Sequence, residues 1–224
     1  MPDSKTPLPW DLPDPSTVKP LAAAGILIDL RRCVGCHACA VSCKTEHAVP
    51  LGTFRNRTQV VQRPDNLALS FIPMLCMHCQ DAPCMTACPT DAISKGPDGR
   101  VLVDENVCDG NQECVRACPY DAIFLHPETQ KASKCNLCEH RTAVGMPPAC
   151  VEVCPTEALR YGDFGNASDP VAIIAAKEGA RAMKPDANTK PQMQYVGLED
   201  WMDEALPGVQ RAADGAGEAG LTYE

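Results

Sequence analysis

Large aromatic side chains are scarce, with phenylalanine, tyrosine and tryptophan together making up 4% of 224 residues. An ordinary core built on aromatic rings is therefore not expected, and something else must fill part of the interior. Positive charge is short as well. The formal net charge is −9, which argues against a nucleic-acid partner, because such a partner requires a basic surface. No apolar run is long enough for a membrane-spanning helix, and Asp29 already interrupts the longest, Leu21 to Leu30. Arg31 and Arg32 follow that run instead of preceding it, so they do not form an export leader. The expectation is a soluble protein without an address signal of its own.

Cysteine is the residue present in excess, at fifteen positions. A disulfide scaffold is the competing account of such a number. The odd count, the length and the tight C-x2-C and C-x3-C spacings favour metal ligation, which supplies the folding energy that aromatic packing does not.

The centre of the sequence is Cys108-Asp-Gly-Asn111-Gln-Glu-Cys114-Val-Arg-Ala-Cys118-Pro119. It matches the bacterial ferredoxin run C-x2-C-x2-C-x3-C-P except at the second ligand, where Asn111 stands. In that run three positions hold one iron–sulfur cluster and the last cysteine reaches a neighbouring one. Two local thiolates and one borrowed thiolate leave a cubane corner without a soft ligand, and asparagine oxygen is a poor substitute. A 3Fe–4S cluster is the natural reading at this position.

Three further runs accompany it. Cys33-Val-Gly-Cys36-His-Ala-Cys39-Ala-Val-Ser-Cys43 has the complete spacing, with Lys44 in place of the usual proline. Its Cys39 and Cys43 share one helical face. Cys76-Met-His-Cys79-Gln-Asp-Ala-Pro-Cys84-Met-Thr-Ala-Cys88-Pro89 carries two extra residues before its third cysteine. The last run, Cys135-Asn-Leu-Cys138 followed by Cys150-Val-Glu-Val-Cys154-Pro155, is stretched further. Taken alone it could bind zinc; its company favours iron. His37 and His78 lie inside these loops and are read as surface residues or neighbours of ligands, since the thiolates already complete the sets. His140 and Arg141 are candidates for a partner contact, with a solvated face as the default.

The four runs form an internal repeat, and Asp91-Ala-Ile93, Asp121-Ala-Ile123 and Glu157-Ala-Leu159 follow the last three. Each run is expected to end in a short helix. Strands are expected at Gly25–Leu30 and near Thr58–Gln62, within a connection spanning 44–75. Hairpins are expected around Gly96–Gly99 and His126–Thr129. Asp169–Met183 reads as a helix, Pro191–Val196 as extended, and Glu199–Leu206 as a short helix with Trp201. The fold class is thus α+β: duplicated bacterial-ferredoxin-like modules of short hairpins and helices around iron–sulfur clusters, plus a C-terminal extension. The expected domains are an N-terminal arm at 1–24 with Trp10, a double ferredoxin-like four-cluster domain at 25–160, and an extension at 161–224 that docks a partner subunit.

Over roughly residues 24–198 the order of the runs resembles the four-cluster electron-transfer subunits of molybdopterin oxidoreductase complexes, as in polysulfide, thiosulfate, sulfite, tetrathionate and dimethyl sulfoxide enzymes. The resemblance extends to Gly35-Cys-His-Ala-Cys39, Lys44-Thr-Glu-His-Ala-Val-Pro50, Cys118-Pro-Tyr120, Lys134-Cys-Asn-Leu-Cys-Glu-His-Arg141, Pro148-Ala-Cys-Val151 and Gly162-Asp163. Lys184-Pro-Asp-Ala-Asn-Thr-Lys-Pro191 and Tyr195-Val-Gly197 look most like the sulfite-oxidising and polysulfide branch. The resemblance implies four ligand sets: Cys33, Cys36, Cys39 and Cys154; Cys135, Cys138, Cys150 and Cys43; Cys76, Cys79, Cys84 and Cys118; and Cys108, Cys114 and Cys88 beside Asn111. It implies three 4Fe–4S clusters and one 3Fe–4S cluster, with no catalytic residue in this chain. The implied partners are a catalytic subunit carrying a molybdenum or tungsten pterin and a quinone-reactive integral membrane subunit. The implied place is a membrane surface reached through those partners, on the cytoplasmic side, with co-export to the periplasm as the alternative. Competing functions are a soluble polyferredoxin without a dedicated membrane partner and Lewis-acid catalysis at the open corner beside Asn111.

Overall fold

The computed structural model describes residues 18–206 apart from 64 and 67. Trp10, most of the expected arm and the acidic end beyond 206 lie outside the described residues.

The apolar stretch after Ala24 becomes β1 (Ala24–Asp29), in which Ile26, Leu27 and Ile28 are all buried. Burial on both faces suits a continuous apolar run at the centre of a sheet. β1 pairs antiparallel with β8 (Leu159–Asp163) and parallel with β9 (Gln194–Val196). The boundary expected between 160 and 161 therefore falls inside a strand. α6 (Pro170–Lys177) covers this sheet, with Val171 and Ala175 against Leu27 and Val196. Its start carries proline at the first helical position, and the Asp169 carboxylate accepts the Val171 N–H at 2.8 Å. The helix expected to reach Met183 stops at Lys177. Gly179 turns the backbone with a φ of 63°, and Arg181 then pairs with Tyr195 in an isolated bridge.

The connection expected over 44–75 contains a second strand that the sequence pattern does not reveal. β2 (Asn56–Gln62) and β3 (Leu69–Leu75) form an antiparallel hairpin paired from Asn56↔Leu75 to Gln62↔Leu69. Pro73 makes β3 read as non-strand, yet in a two-stranded hairpin its missing N–H faces an unpaired edge. The two smaller hairpins match expectation: β4 (Ile93–Lys95) with β5 (Val101–Val103), and β6 (Ile123–Leu125) with β7 (Ala132–Lys134).

Short helices complete the arrangement: α1 (Ala38–Glu46), α2 (Pro83–Thr86), α3 (Glu113–Ala117), α4 (Glu139–Thr142), α5 (Ala149–Glu152) and α7 (Asp200–Ala205). Pro89, Pro119 and Pro155 close the last three cysteine runs, because the residue before proline is forced out of the helical region. Lys44 has no such effect, so α1 continues past Cys43 to Glu46. Small sheets mixed with short helices make an α+β arrangement, as expected.

Eleven of the fifteen cysteines are buried, so thiols occupy the interior that aromatic rings leave empty. The described part of the C-terminal extension folds onto the rest of the protein. The N–H groups of Gln80 and Asp81 donate to the carbonyls of Lys190 and Thr189 at 2.9 and 3.0 Å, and Gln192 N–H to that of Met77 at 2.9 Å. The Tyr195 hydroxyl reaches the Pro73 carbonyl at 2.9 Å. Those backbone groups are committed to the protein's own second cysteine run.

Candidate metal centres

The first group of thiols lies where the loop before α1 meets the end of α5. Burial raises the Cys33 thiol against the opposing Gly35 N–H, and the nearby Cys154 and Cys36 raise it further. Cys39 is raised by burial and lies 3.8 Å from the Thr58 hydroxyl. This group is open to the outside, with Cys36 exposed and Cys33 and Cys154 half-buried.

The second group is enclosed. Cys43, on α1, lies near Cys138 at the start of α4, and burial together with that neighbour pushes its thiol up to about 12. Cys135 is raised too, first by burial and then by Cys43 and Cys76, and Cys150 first by burial and then by Cys135 and Cys43. Leu137 N–H points at the Cys135 sulfur at 3.4 Å, and His47 Nε2 lies 3.2 Å from that of Cys138. Burial first, then the charges of Arg55 and His140, depress the His47 imidazole to about 4.

Cys76, Cys79, Cys84 and Cys118 line one pocket together with Val101 and Ile123. Burial pushes Cys79 up to about 11 and Cys84 up to about 12. His78, expected at the surface or beside ligands, is fully buried. Its Nδ1 accepts the Val101 N–H at 2.9 Å, which places the ring proton on Nε2. Burial and the nearby Lys134 and Arg100 charges hold its proton affinity well below the ordinary histidine value.

Cys88, Cys108 and Cys114 line a second pocket with Gly110, Asn111 and Ala132. Burial, followed by Cys108 and Cys88, pushes the Cys114 thiol up to about 11. Gly110 adopts a φ of 77°, and a Cβ there would collide with the Gln130 carbonyl. The Asn111 side chain is already engaged. Its Oδ1 accepts the Glu113 N–H at 2.9 Å and its Nδ2 donates to Asp109. Asn111 thus organises the start of α3 and leaves three thiols as the soft donors of this pocket.

A repeated feature of the backbone has a functional consequence that the sequence pattern only hints at. Asp91, Asp121 and Glu157, three residues after their cysteines, have φ of 54°, 50° and 51°. The turn directs N–H groups of Ala92, Ala122 and Ala158 toward Cys88, Cys118 and Cys154, with Ala158 N–H at 3.3 Å from the sulfur. Burial would raise the Cys88 and Cys154 thiols, but these amides and the Thr90 and Thr156 hydroxyls outweigh it and lower both. The Asp/Glu-Ala-Ile/Leu repeat is the signal for it.

Arg141 is not free for a partner, contrary to expectation. Its side chain is 13% exposed and pairs with Glu46 at 3.1 Å and with Glu152. His140 is the more exposed of the two and pairs with Glu46 at 2.6 Å.

Several thiolates cannot share a buried pocket without a cation to neutralise them. Among the described residues no three His, Cys, Asp or Glu side chains converge closely enough to hold a single metal ion. Soft donors gathered around a wider space fit a multi-iron sulfide cluster, in which each iron takes one thiolate. The N–H groups aimed at sulfur suit the same group, since they stabilise its negative charge.

Comparison with known proteins agrees with this chemistry. A 4Fe-4S dicluster domain matches residues 67–164 and another matches 32–92. The B subunit of tetrathionate reductase from Salmonella typhimurium is 39% identical over 185 residues, covering 78% of this chain and 72% of that protein. The B polypeptide of polysulfide reductase from Wolinella succinogenes is 35% identical over 177 residues, covering 77% and 93%. The corresponding subunit of sulfite dehydrogenase from Allochromatium vinosum is 36% identical over 196 residues, covering 76% and 81%.

Proposed function

The protein belongs to the iron–sulfur electron-transfer subunits of sulfur-compound oxidoreductases, and from that premise we propose that it is a four-centre electron wire. Three 4Fe–4S clusters and one 3Fe–4S cluster would supply one-electron carriers between a molybdopterin catalytic subunit and a quinone-reactive membrane subunit. The proposed ligand sets are Cys33, Cys36, Cys39 and Cys154; Cys43, Cys135, Cys138 and Cys150; Cys76, Cys79, Cys84 and Cys118; and Cys88, Cys108 and Cys114.

The gradient of exposure along the four thiol groups carries this reading. Cys36 is exposed and Cys33 and Cys154 half-buried at one end, and Cys88 and Asn111 are half-buried at the other. Every cysteine of the two middle groups is buried. Neighbouring groups also lie near one another in that order. Cys39 lies near Cys150, Cys135 near Cys76, and the third and fourth groups share the packed helices α2 and α3. A wire needs accessible ends and an insulated middle, and this pattern of exposure supports the reading.

The protein's own residues hold and insulate. Cysteines from two runs contribute to each group, so ligation ties distant segments together. The amides of Ala158, Leu137 and Ala132 face the sulfurs of Cys154, Cys135 and Cys108 at 3.3, 3.4 and 3.4 Å and offset added negative charge. No helix among the described residues is long and apolar enough to cross a membrane, so contact with quinone is assigned to the partner.

Anaerobic purification with iron and acid-labile sulfide counting tests the reading. About fifteen iron atoms per protein are expected, with the paramagnetic signal of one oxidised three-iron centre. A colourless protein, or iron for only one or two clusters, overturns it.

A further inference from the structure

Lys134 closes β7 and immediately precedes Cys135, and it is 4% exposed. Its Nζ donates to the backbone carbonyl of Val101 and to that of Cys135, the latter at 3.2 Å. Both acceptors are neutral, and no carboxylate among the described residues pairs with it. An ammonium buried in this way is costly unless negative charge lies close by.

The surroundings show where that charge would be. Val101, whose carbonyl Lys134 holds, lines the pocket of Cys76, Cys79, Cys84 and Cys118. So does Ile123, which pairs with Lys134 across the hairpin. On its other side the backbone passes directly to Cys135 of the second group. Lys134 thus sits between the two groups, with Cys84 of one and Cys135 of the other as its thiol neighbours. Val101 is fixed in turn, because its N–H donates to the buried His78 Nδ1 at 2.9 Å.

We infer that Lys134 is a positioning residue for charge, a fixed ammonium shared by the second and third clusters that raises the reduction potential of both. This rests on the four-centre reading above. An electron arriving at either cluster adds negative charge beside the same cation, in a medium that screens poorly, so reduction is favoured at both. Because the cation is shared, the level between the two middle centres stays nearly even while both are lowered in energy relative to the exposed first centre.

The test uses the anaerobically purified holoprotein and potentiometric titration followed by electron paramagnetic resonance. Iron and sulfide counts on the unaltered protein decide the four-centre reading separately from this inference. In Lys134→Gln, two of the three four-iron centres should bind an electron at least tenfold more weakly, a fall of about 59 mV per tenfold for a one-electron couple. The remaining four-iron centre and the three-iron centre should stay in place. Lys134→Arg, which keeps the charge, should hold all four potentials near their original values. The inference is overturned if Lys134→Gln shifts no centre, only one, or all alike, or if Lys134→Arg shifts the same two equally far. Should Lys134→Gln fail to retain its iron, the arginine variant decides. Full iron and unaltered potentials support the charge, and loss of iron there as well overturns it.

Discussion

His47 Nε2 stands 3.2 Å from the sulfur of Cys138, a hydrogen bond between the end of the first cysteine run and the start of the last. A thiolate bound to iron carries no proton, so with Cys138 ligating iron as proposed the imidazole N–H would be the donor. The ring is fixed edge-on to His140, with centroids 5.3 Å apart.

A donor on a ligand sulfur stabilises the extra electron of the reduced cluster. His47→Ala should therefore lower the potential of one four-iron centre while iron content and the other three potentials hold. Potentiometry checks it, and an unmoved set of four potentials would sink the donor role. A net hydrogen-bond worth of about 0.5–1.5 kcal/mol sets the scale, which is a several-fold change in electron affinity.

Asn111→Cys supplies the thiolate missing from the fourth group. Iron should rise to about sixteen atoms per protein, the oxidised three-iron signal should vanish, and the potential of that centre should fall. The substitution also removes the Asn111 bonds to Glu113 N–H and Asp109, so α3 loses about 0.5–2 kcal/mol of support. A variant that keeps the three-iron signal would mean that the loop holds position 111 away from the open corner.

Much of this is legible in the sequence and some is not, for physical reasons. The cysteine runs can be read because each is local: Cys33 to Cys43 spans one loop and one helix. The hairpins flanking Gly96–Gly99 and His126–Thr129 announce themselves by short apolar alternation and turn residues. β3 does not, because Pro73 mimics a strand breaker and only the pairing with Thr58 reveals otherwise. The burial of His78 and Lys134 is invisible because it depends on Val101, far from His78 and Lys134 in sequence. The fold-back of Lys184–Tyr195 onto the second run is hidden for the same reason, being made of long-range backbone bonds that no periodicity encodes.

Asp163 offers a pH test away from the ligands. Burial would raise its carboxyl, but the N–H groups of Ala22, Ala23 and Gly165, at 2.9, 2.8 and 2.9 Å, outweigh that and hold it below the ordinary value. A carboxylate depressed in the folded state stabilises fully above its unfolded value of about 3.9 and loses that contribution as pH falls through the lower folded value. Asp163→Asn should thus cost about 1–3 kcal/mol in denaturant unfolding, with a difference from the unaltered protein that is flat between about pH 5 and 8. A difference that varies over that interval would assign the effect to another group.

Removing the iron should dismantle one part of the protein ahead of another. α2 and α5 have four residues each and α3 has five, far below the roughly 12–15 that an isolated helix needs. These helices carry Cys84, Cys114 and Cys150, so in the proposed ligand sets ligation would fix their ends, and binding free energy would be folding free energy for them. The packing of α6 on β1 and β9 is different, since Leu27, Val171, Ala175 and Val196 meet there without any cysteine. Burying an aliphatic side chain contributes about 1.5–3 kcal/mol whether or not iron is present. Anaerobic chelation should therefore raise amide exchange across Cys76–Glu152 far more than across Ala24–Asp29 and Pro170–Lys177. Exchange by mass spectrometry, read before and after chelation, resolves the segments. Equal gains in both would show that the sheet depends on the clusters too, and unchanged exchange in the cysteine runs would show that they fold without iron.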